Sequence, residues 1–544
     1  MKYEINEVSQ YQSIQNKYHI NSLLAKVIDY HHYDDDILQS LLNPRLIYHD
    51  FSLFEEADMT LDRIKEAIDN EEKICIYGDY DCDGILATTI LVQAFLELGV
   101  TVGYHIPNRF EDGYGLNIHR VEQMAEKGYS LIITVDNGVK SFDAIERANE
   151  LGVDVIVTDH HQFDRDLPDA CTFIHTKLSP DYPFKEISGG FVAYKLASAL
   201  LNKQDKYLYT LAAITTVSDM MPLIDENRSL VKKAIEFMTE EKYPSLELLL
   251  GNQQTYSVTT IGFTIAPKIN SFGRLPEICH PNILVKYFLK DAPRELMVQV
   301  SQKATELNTK RQLMTNRQYE LVDKEQNSSF LYWSSEDIHE GLIGLIAGKY
   351  TRQYEKPSFV MHYDAKEHIY KGSARSIEGF SLHQFFVEHA DQFIASGGHS
   401  LAGGFSLDEA HYQSCYKCIC EALDGLKLEA KTPVLLIDQD DISLSQIQSL
   451  SVLEPFGMGN EEPLFLLKDV PIQKIYTLSQ GKHLKMDIQY PHVKITALYF
   501  HEGKRINEIE NKKDIHLVGT LSINEYRNMK SINFIVKDIL YNLY

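Results

Sequence analysis

Through the first half of the chain, short apolar runs end in polar turns and are followed by longer stretches with helical periodicity. Ile74-Cys75-Ile76-Tyr77 is one such run, and the apolar segment ILATTILVQAFLEL, opened by Gly84, has the length of a helix. Val100 to Ile106, Leu131 to Val135 and Val153 to Val157 read as further strands, and Leu211 to Val217 as a strand or a helix. Strand, turn and helix in alternation from 49 to 285 predict a parallel α/β sheet. Residues 286–325 are polar and periodic, which predicts a long connecting helix. A second α/β domain is expected over 326–425, with GLIGLIAGKY, KGSARS and SGGHSLAGG along it. From 430 to 544 the period changes to two: Leu484, Met486 and Ile488 share one face, as do Ile532, Phe534 and Val536. That alternation predicts a small OB-like β-barrel, a fold that can grip single strands. Residues 1–48 read as a helical segment.

The chemistry sits where the predicted strands end. Asp79, Asp81 and Asp83 follow Tyr77 at alternate positions, Asp136 follows Val135, His160 and His161 follow Thr158-Asp159, and Asp219 follows Val217-Ser218. Carboxyl ends of the strands of an open α/β sheet form one crevice, so these side chains are expected to converge. Crowded carboxylates repel unless a cation lies between them. An EF-hand reading of Asp79-x-Asp81-x-Asp83-Gly84 fails, because Ile90 stands where the bidentate Glu belongs and a strand precedes the loop. No GxxxxGK[ST] phosphate loop occurs, and Gly398-His399-Ser400-Leu401-Ala402 is not GxSxG. Oxygen ligands with a little imidazole and no thiolate suit Mn²⁺ or Mg²⁺. The ligands suffice for two ions, which in phosphoester-cleaving sites lie roughly 3.5–4 Å apart.

The 544 residues are enough for three or four domains, and 44% hydrophobic with 24% charged residues is ordinary globular composition. No apolar run reaches membrane-spanning length and the N-terminus lacks the apolar core of a secretory signal, so a cytoplasmic protein is expected. A net charge of −24 disfavours indiscriminate nucleic-acid binding but leaves room for a local basic groove. Seven cysteines, an odd number among apolar neighbours, suit reduced thiols. Cys415, Cys418 and Cys420 lack a fourth ligand at zinc spacing. His31-His32 with Asp34, Asp35 and Asp36 is expected to be a solvated helix face.

Motifs along nearly the whole chain resemble the DHH phosphoesterase superfamily and, within it, the RecJ single-strand-specific exonucleases. They are YGDYDCDG (77–84), IPNRFEDGYGL (106–116), VDNG (135–138), TDHH (158–161), VSDMMPLIDENR (217–228), IGFTIAPKINSFGR (261–274) and LNTKRQ (307–312). GLIGLIAGKY (341–350), GSARSIEGF (372–380), GGHSLAGGFSL (397–407), EPFGMGNEEPLF (454–465) and the strands from 518 to 539 continue the match. The resemblance implies 5′-to-3′ hydrolysis of single-stranded DNA to mononucleotides, dependent on Mn²⁺ or Mg²⁺, in repair and recombination. It implies a monomer, with single-strand-binding protein and a helicase as partners and no membrane. Asp79, Asp81, Asp83, Asp136, His160, His161 and Asp219 become the implied metal-site residues. Asp81, Asp83, Asp136 and Asp219 are the firmest ligands, and Asp79, His160 and His161 stand either as ligands or behind them in proton transfer.

Arg274 is implied at the scissile phosphate, whose oxygens its fork can bind in pairs. Arg109, Ser373 and Arg375 are implied around a terminal 5′ phosphate, and His399 at the cleft between the two α/β domains. IHTKL (174–178) and SGGF (188–191) depart from the family's Asn-Pro step and Gly-Val-Gly turn, and neither is expected to touch a ligand. A further C-terminal domain of longer relatives is not expected. Two rivals are a DHH phosphodiesterase acting on short oligonucleotides or cyclic dinucleotides, and a non-catalytic scaffold, against which the intact carboxylates argue.

Overall fold

Parallel strands buried on both faces read as near-continuous β-branched runs, and the run at Lys73–Tyr77 occupies the interior of a five-stranded parallel sheet. The computed structural model describes residues 3–541 except 34, 44, 114, 164–165, 254, 323–328, 427–430, 511, 513 and 528. Asp34, Tyr114 and the last expected residues of the connecting helix therefore lie outside the described residues. The chain forms two compact units, one of 49–221 with 233–430, the other of 1–48 with 222–232 and 431–544.

In the larger unit the sheet runs Gly103–His105, Lys73–Tyr77, Tyr129–Val135, Asp154–Thr158, Thr172–Ile174, all parallel. Strand order reverses at Lys73–Tyr77, so the crevice opens where Asp79 follows that strand. Cys82–Glu97 is a helix buried all round from Cys82 to Phe95, because Gly189–Leu201 and Lys206–Ser218 pack on it. Residues 211–217 are thus helical. The expected connecting helix is broken. Asn282–Phe288 ends first, and the 26-residue helix Arg294–Tyr319 starts behind Pro293, whose ring cannot continue a helix interior. Beyond it a second sheet runs Ala395–Gly398, Ala402–Asp408, Ile369–Arg375, Ser358–Asp364, Leu331–Ser335 over a core of Phe330, Phe359, Phe385, Phe386 and Phe405. Cys415 lies in that core on the helix Tyr412–Leu423, and Cys420 is exposed on it.

In the smaller unit the period-two segments form the expected strands, with Leu484, Met486, Ile488 and Phe534 fully buried. The described strands pair in one eight-stranded order that no ladder closes, which is still consistent with the expected OB-like domain, and Tyr3–Asn6 extends one edge by pairing in parallel with Thr432–Leu435. The first 48 residues are accordingly not a separate helical segment. Leu23, Leu24, Val27 and Ile28 of the helix Ser22–His31 share one core with Leu484, Met486 and Ile495. His32, Asp35 and Asp36 are exposed, whereas His31 stacks on Tyr33 with ring centroids 5.0 Å apart. Among the described residues no helix is long and apolar enough to cross a membrane.

Candidate metal centre and phosphate cleft

Helix termini decide how the carboxylates are held. The helix begins at Cys82, two residues before the expected Gly84, because Asp81 caps it: its Oδ1 accepts the N–H groups of Asp83 (2.9 Å) and Gly84 (3.2 Å). Asp83, in the first turn, accepts Gly189 N–H at 2.9 Å and Gly190 N–H at 2.6 Å on its two oxygens. It thus closes the N-terminus of the helix Gly189–Leu201, where a negative charge is favoured. Asp219 is placed the other way, at the C-terminal end of Lys206–Ser218, where the helix dipole opposes a carboxylate and a cation would relieve it. Asp136 follows its strand with φ 61°, a left-handed conformation rare outside glycine and common at functional sites.

These residues converge. Atoms of Asp79, Asp81 and Asp136, of Asp83, His160 and Asp219, and of Asp136, His160 and His161 lie within 4.8 Å of one another in each trio. His160 Nε2 stands 3.1 Å from Asp136, 3.6 Å from Asp219 and 3.7 Å from Asp83. Asp79 Oδ1, Asp136 Oδ1 and His160 Nε2 are buried with no hydrogen-bond partner among the described residues. Buried acceptors left unpaired are costly, and divalent cations would satisfy all of them. The donor set therefore fits Mn²⁺ or Mg²⁺. Burial, and then the neighbouring carboxylates, push the Asp79, Asp83, Asp136 and Asp219 carboxyls upward. Burial, and then His161, hold His160 below the usual imidazole range, so it is neutral and able to ligate.

Asp159 organises the histidine pair. Its Oδ1 accepts the backbone N–H of His160 (2.7 Å) and the Nδ1–H of His161 (2.8 Å), and its Oδ2 accepts Val139 N–H at 3.0 Å. Burial would lower His161, but the charge and hydrogen bond of Asp159 outweigh it and raise the imidazole to about 9.

Facing this cluster across a cavity of about 340 Å³ are arginines from different elements. Arg274 ends the helix Ala266–Arg274 and donates to Gly341 O at 3.2 Å. Arg375 ends its strand and donates to Ser373 Oγ at 3.0 Å. Arg109 lies 4.9 Å over the Tyr80 ring. Burial, and then Arg109, Arg311 and Arg375, push the Arg274 guanidinium down to about 9. Among the described residues none of these four arginines forms an ion pair. So much uncompensated positive charge calls for an anion, and phosphate matches guanidinium geometry.

Most expected site residues meet here: Asp79, Asp81, Arg109, His161, Arg274, Ser373 and Arg375 line the cavity, with Asp83, Asp136, His160 and Asp219 at the metal trios. His399 does not line it. It is exposed in the turn before Ala402, although the charges of His161 and Lys177 reach it. The reading of the two departures is overturned. SGGF supplies both N–H groups that hold Asp83, and a Cβ on Gly189 would lie 2.6 Å from Asp136. In IHTKL, buried His175 donates from Nε2 to His161 O at 3.0 Å and accepts Lys177 N–H on Nδ1 at 3.1 Å. Arg311, whose Nε and Nη2 donate to Asn308 Oδ1, was not singled out, although its segment LNTKRQ was. A cation one turn from Asn308 on a polar helix carries no signal until the fold sets it beside Arg274.

Family models match three stretches: the DHH family, N-terminal domain, over residues 73–217; the DHHA1 domain over 327–425; and the RecJ OB domain over 435–538. The chain is 32% identical to the single-stranded-DNA-specific exonuclease RecJ of Bacillus subtilis, covering 99% of this chain and 70% of that one. It is 30% identical to the protein of the same name from Haemophilus influenzae, covering 92% of each. Among solved structures, RecJ of Thermus thermophilus in complex with Mn²⁺ aligns over 99% of this chain and 79% of that chain with a TM-score of 0.83 at 24% identity, a likeness of fold. An exonuclease RecJ bound to manganese aligns over 67% of this chain and 93% of that chain with a TM-score of 0.57 at 28% identity.

Proposed function

The chain belongs to the RecJ family of DHH phosphoesterases, and from that premise we propose that it degrades single-stranded DNA from the 5′ end to mononucleotides, in repair and recombination. The observation that carries the reading is the carboxylate–histidine cluster facing Arg109, Arg274 and Arg375, which form no ion pair among the described residues, across one cavity. Mn²⁺ or Mg²⁺ held by Asp79, Asp81, Asp83, Asp136, His160 and Asp219 would supply a nucleophilic water at neutral pH and offset charge on the scissile phosphate.

The remaining work falls to the protein. Arg274, with Arg311 beside it, grips the nonbridging oxygens of the scissile phosphate. Arg109, Ser373 and Arg375 hold the terminal 5′ phosphate one nucleotide away, which confines cutting to the end. His161 lines the cavity and is oriented by its hydrogen bond to Asp159, so it can deliver a proton to the departing O3′. Cleavage on that side leaves the next nucleotide with a new 5′ phosphate, ready for the same arginines. A cavity near 340 Å³ is at the lower end of the roughly 300–1,000 Å³ that holds a single small ligand, which suits one nucleotide. The OB domain adds its own hold on the single strand. We also propose a cytoplasmic monomer that works beside a single-strand-binding protein and a helicase.

Strands labelled at the 5′ or the 3′ end, incubated with Mn²⁺ and either the protein or its Asp136→Ala variant, test the reading. Labelled mononucleotide should appear early only from the 5′ end and vanish in the variant. Turnover of dinucleotides alone, or binding without cleavage, would replace this reading with one of its rivals.

A further inference from the structure

Arg109 is one of three arginines that line the cavity, and its side chain lies 4.9 Å over the face of Tyr80. Its backbone must therefore be held from behind, and the loop shows how. Asn108 Oδ1 accepts Phe110 N–H at 3.0 Å, and Asn108 O accepts Asp112 N–H at 2.8 Å. Asp112 Oδ2 reaches back to accept Asn108 N–H at 2.8 Å, which closes a ring of backbone around Arg109. The other oxygen, Oδ1, accepts Arg120 Nε–H at 2.7 Å and ties that ring to the helix Ile118–Glu126. Asn117 Nδ2–H adds a bond to Asp112 O at 3.2 Å, and His105 Nε2 stands 3.6 Å from Oδ2. The Asp112 side chain is 4% exposed and is absent from the cavity lining. A carboxylate is required because each oxygen serves a different donor; an amide has only one acceptor oxygen.

We propose that Asp112, clamped by Arg120, is a positioning residue that holds Arg109 in place for the terminal 5′ phosphate. The inference rests on the proposed role of Arg109 and adds what makes that role possible. Without the clamp, the loop must be ordered at each binding event against repulsion from Arg274 and Arg375, and affinity for the phosphate falls.

The test uses the full-length protein with Mn²⁺ and two strands that differ only in a 5′ phosphate or a 5′ hydroxyl. The ratio of their kcat/KM values is the readout. Arg109→Ala should lower the ratio, and Asp112→Asn should lower it about tenfold, as expected for one lost charge-assisted hydrogen bond. The loss should appear mainly in KM for the phosphorylated strand, and the double variant should fall no further than Arg109→Ala. Arg120→Gln, a partly exposed site remote from the cavity, should reproduce the shift and serves if Asp112→Asn does not fold. An unchanged ratio in both clamp variants, with Arg109→Ala lowered, would overturn the role of Asp112 and leave that of Arg109 standing. An unchanged ratio in Arg109→Ala would instead overturn the phosphate reading beneath it.

Discussion

Gly189→Ala puts the metal centre under a defined strain. At the first turn of a helix, alanine is ordinarily favoured over glycine by up to about 1 kcal/mol, so propensity alone predicts a neutral or stabilising change. The structure predicts the opposite. The new Cβ would stand 2.6 Å from both Cβ and Oδ1 of Asp136 and 2.8 Å from its Cγ. Ordinary contact needs about 3.4–4 Å, so Asp136 or the helix start must retreat by roughly 1 Å. Asp136 is fixed by its N–H bond to Thr158 O at 3.0 Å, and Gly189 by its N–H bond to Asp83 at 2.9 Å. Overpacking of this kind costs about 1–3 kcal/mol. A displacement near 1 Å among reacting groups costs on the order of a hundredfold in rate. Steady-state digestion of 5′-labelled single strands across a Mn²⁺ titration should show kcat lowered about a hundredfold and a weaker metal requirement curve. Strand binding should change little, because the arginines are untouched. A variant with wild-type kcat and metal dependence would refute the claim that Gly189 sets the position of Asp136.

Two further predictions concern stability. In chelator, burial and mutual repulsion keep the Asp79, Asp83, Asp136 and Asp219 carboxyls protonated to higher pH in the folded protein than in the unfolded chain. The folded state then binds more protons, so stability should fall as pH rises from about 4 towards 8, and His161, raised to about 9 in the fold, adds to the loss above its unfolded value. Melting curves should show this slope with EDTA and a much flatter one with Mn²⁺; parallel slopes would contradict metal binding at these carboxylates. Deleting 431–544 alone should expose Leu23, Leu24, Val27 and Ile28, about 1.5–3 kcal/mol of burial each, and leave Tyr3–Asn6 without its ladder. Size-exclusion chromatography should find 1–430 aggregated and 49–430 far less so, and a monomeric 1–430 would refute the shared core.

The sequence by itself determined which carboxylates and imidazoles converge. A parallel sheet brings the carboxyl ends of its strands to one edge, so Asp79, Asp136 and His160, each following an apolar run, had to become neighbours. Strict alternation likewise assigned Leu484, Met486 and Ile488 to one buried face. What only the tertiary structure decided lies in contacts between distant backbones and in like charges from separate elements. Gly189 and Gly190 hold Asp83 from more than a hundred residues away, and a glycine bears no pattern that announces what approaches it. Arg311 gains meaning only beside Arg274, and Tyr3–Asn6 only beside Thr432–Leu435. His399 stands outside the cavity lining in its glycine-rich turn, although burial and then the charge of His161 act on it. Periodicity records which face of an element is buried; which element covers that face is settled only when the chain packs.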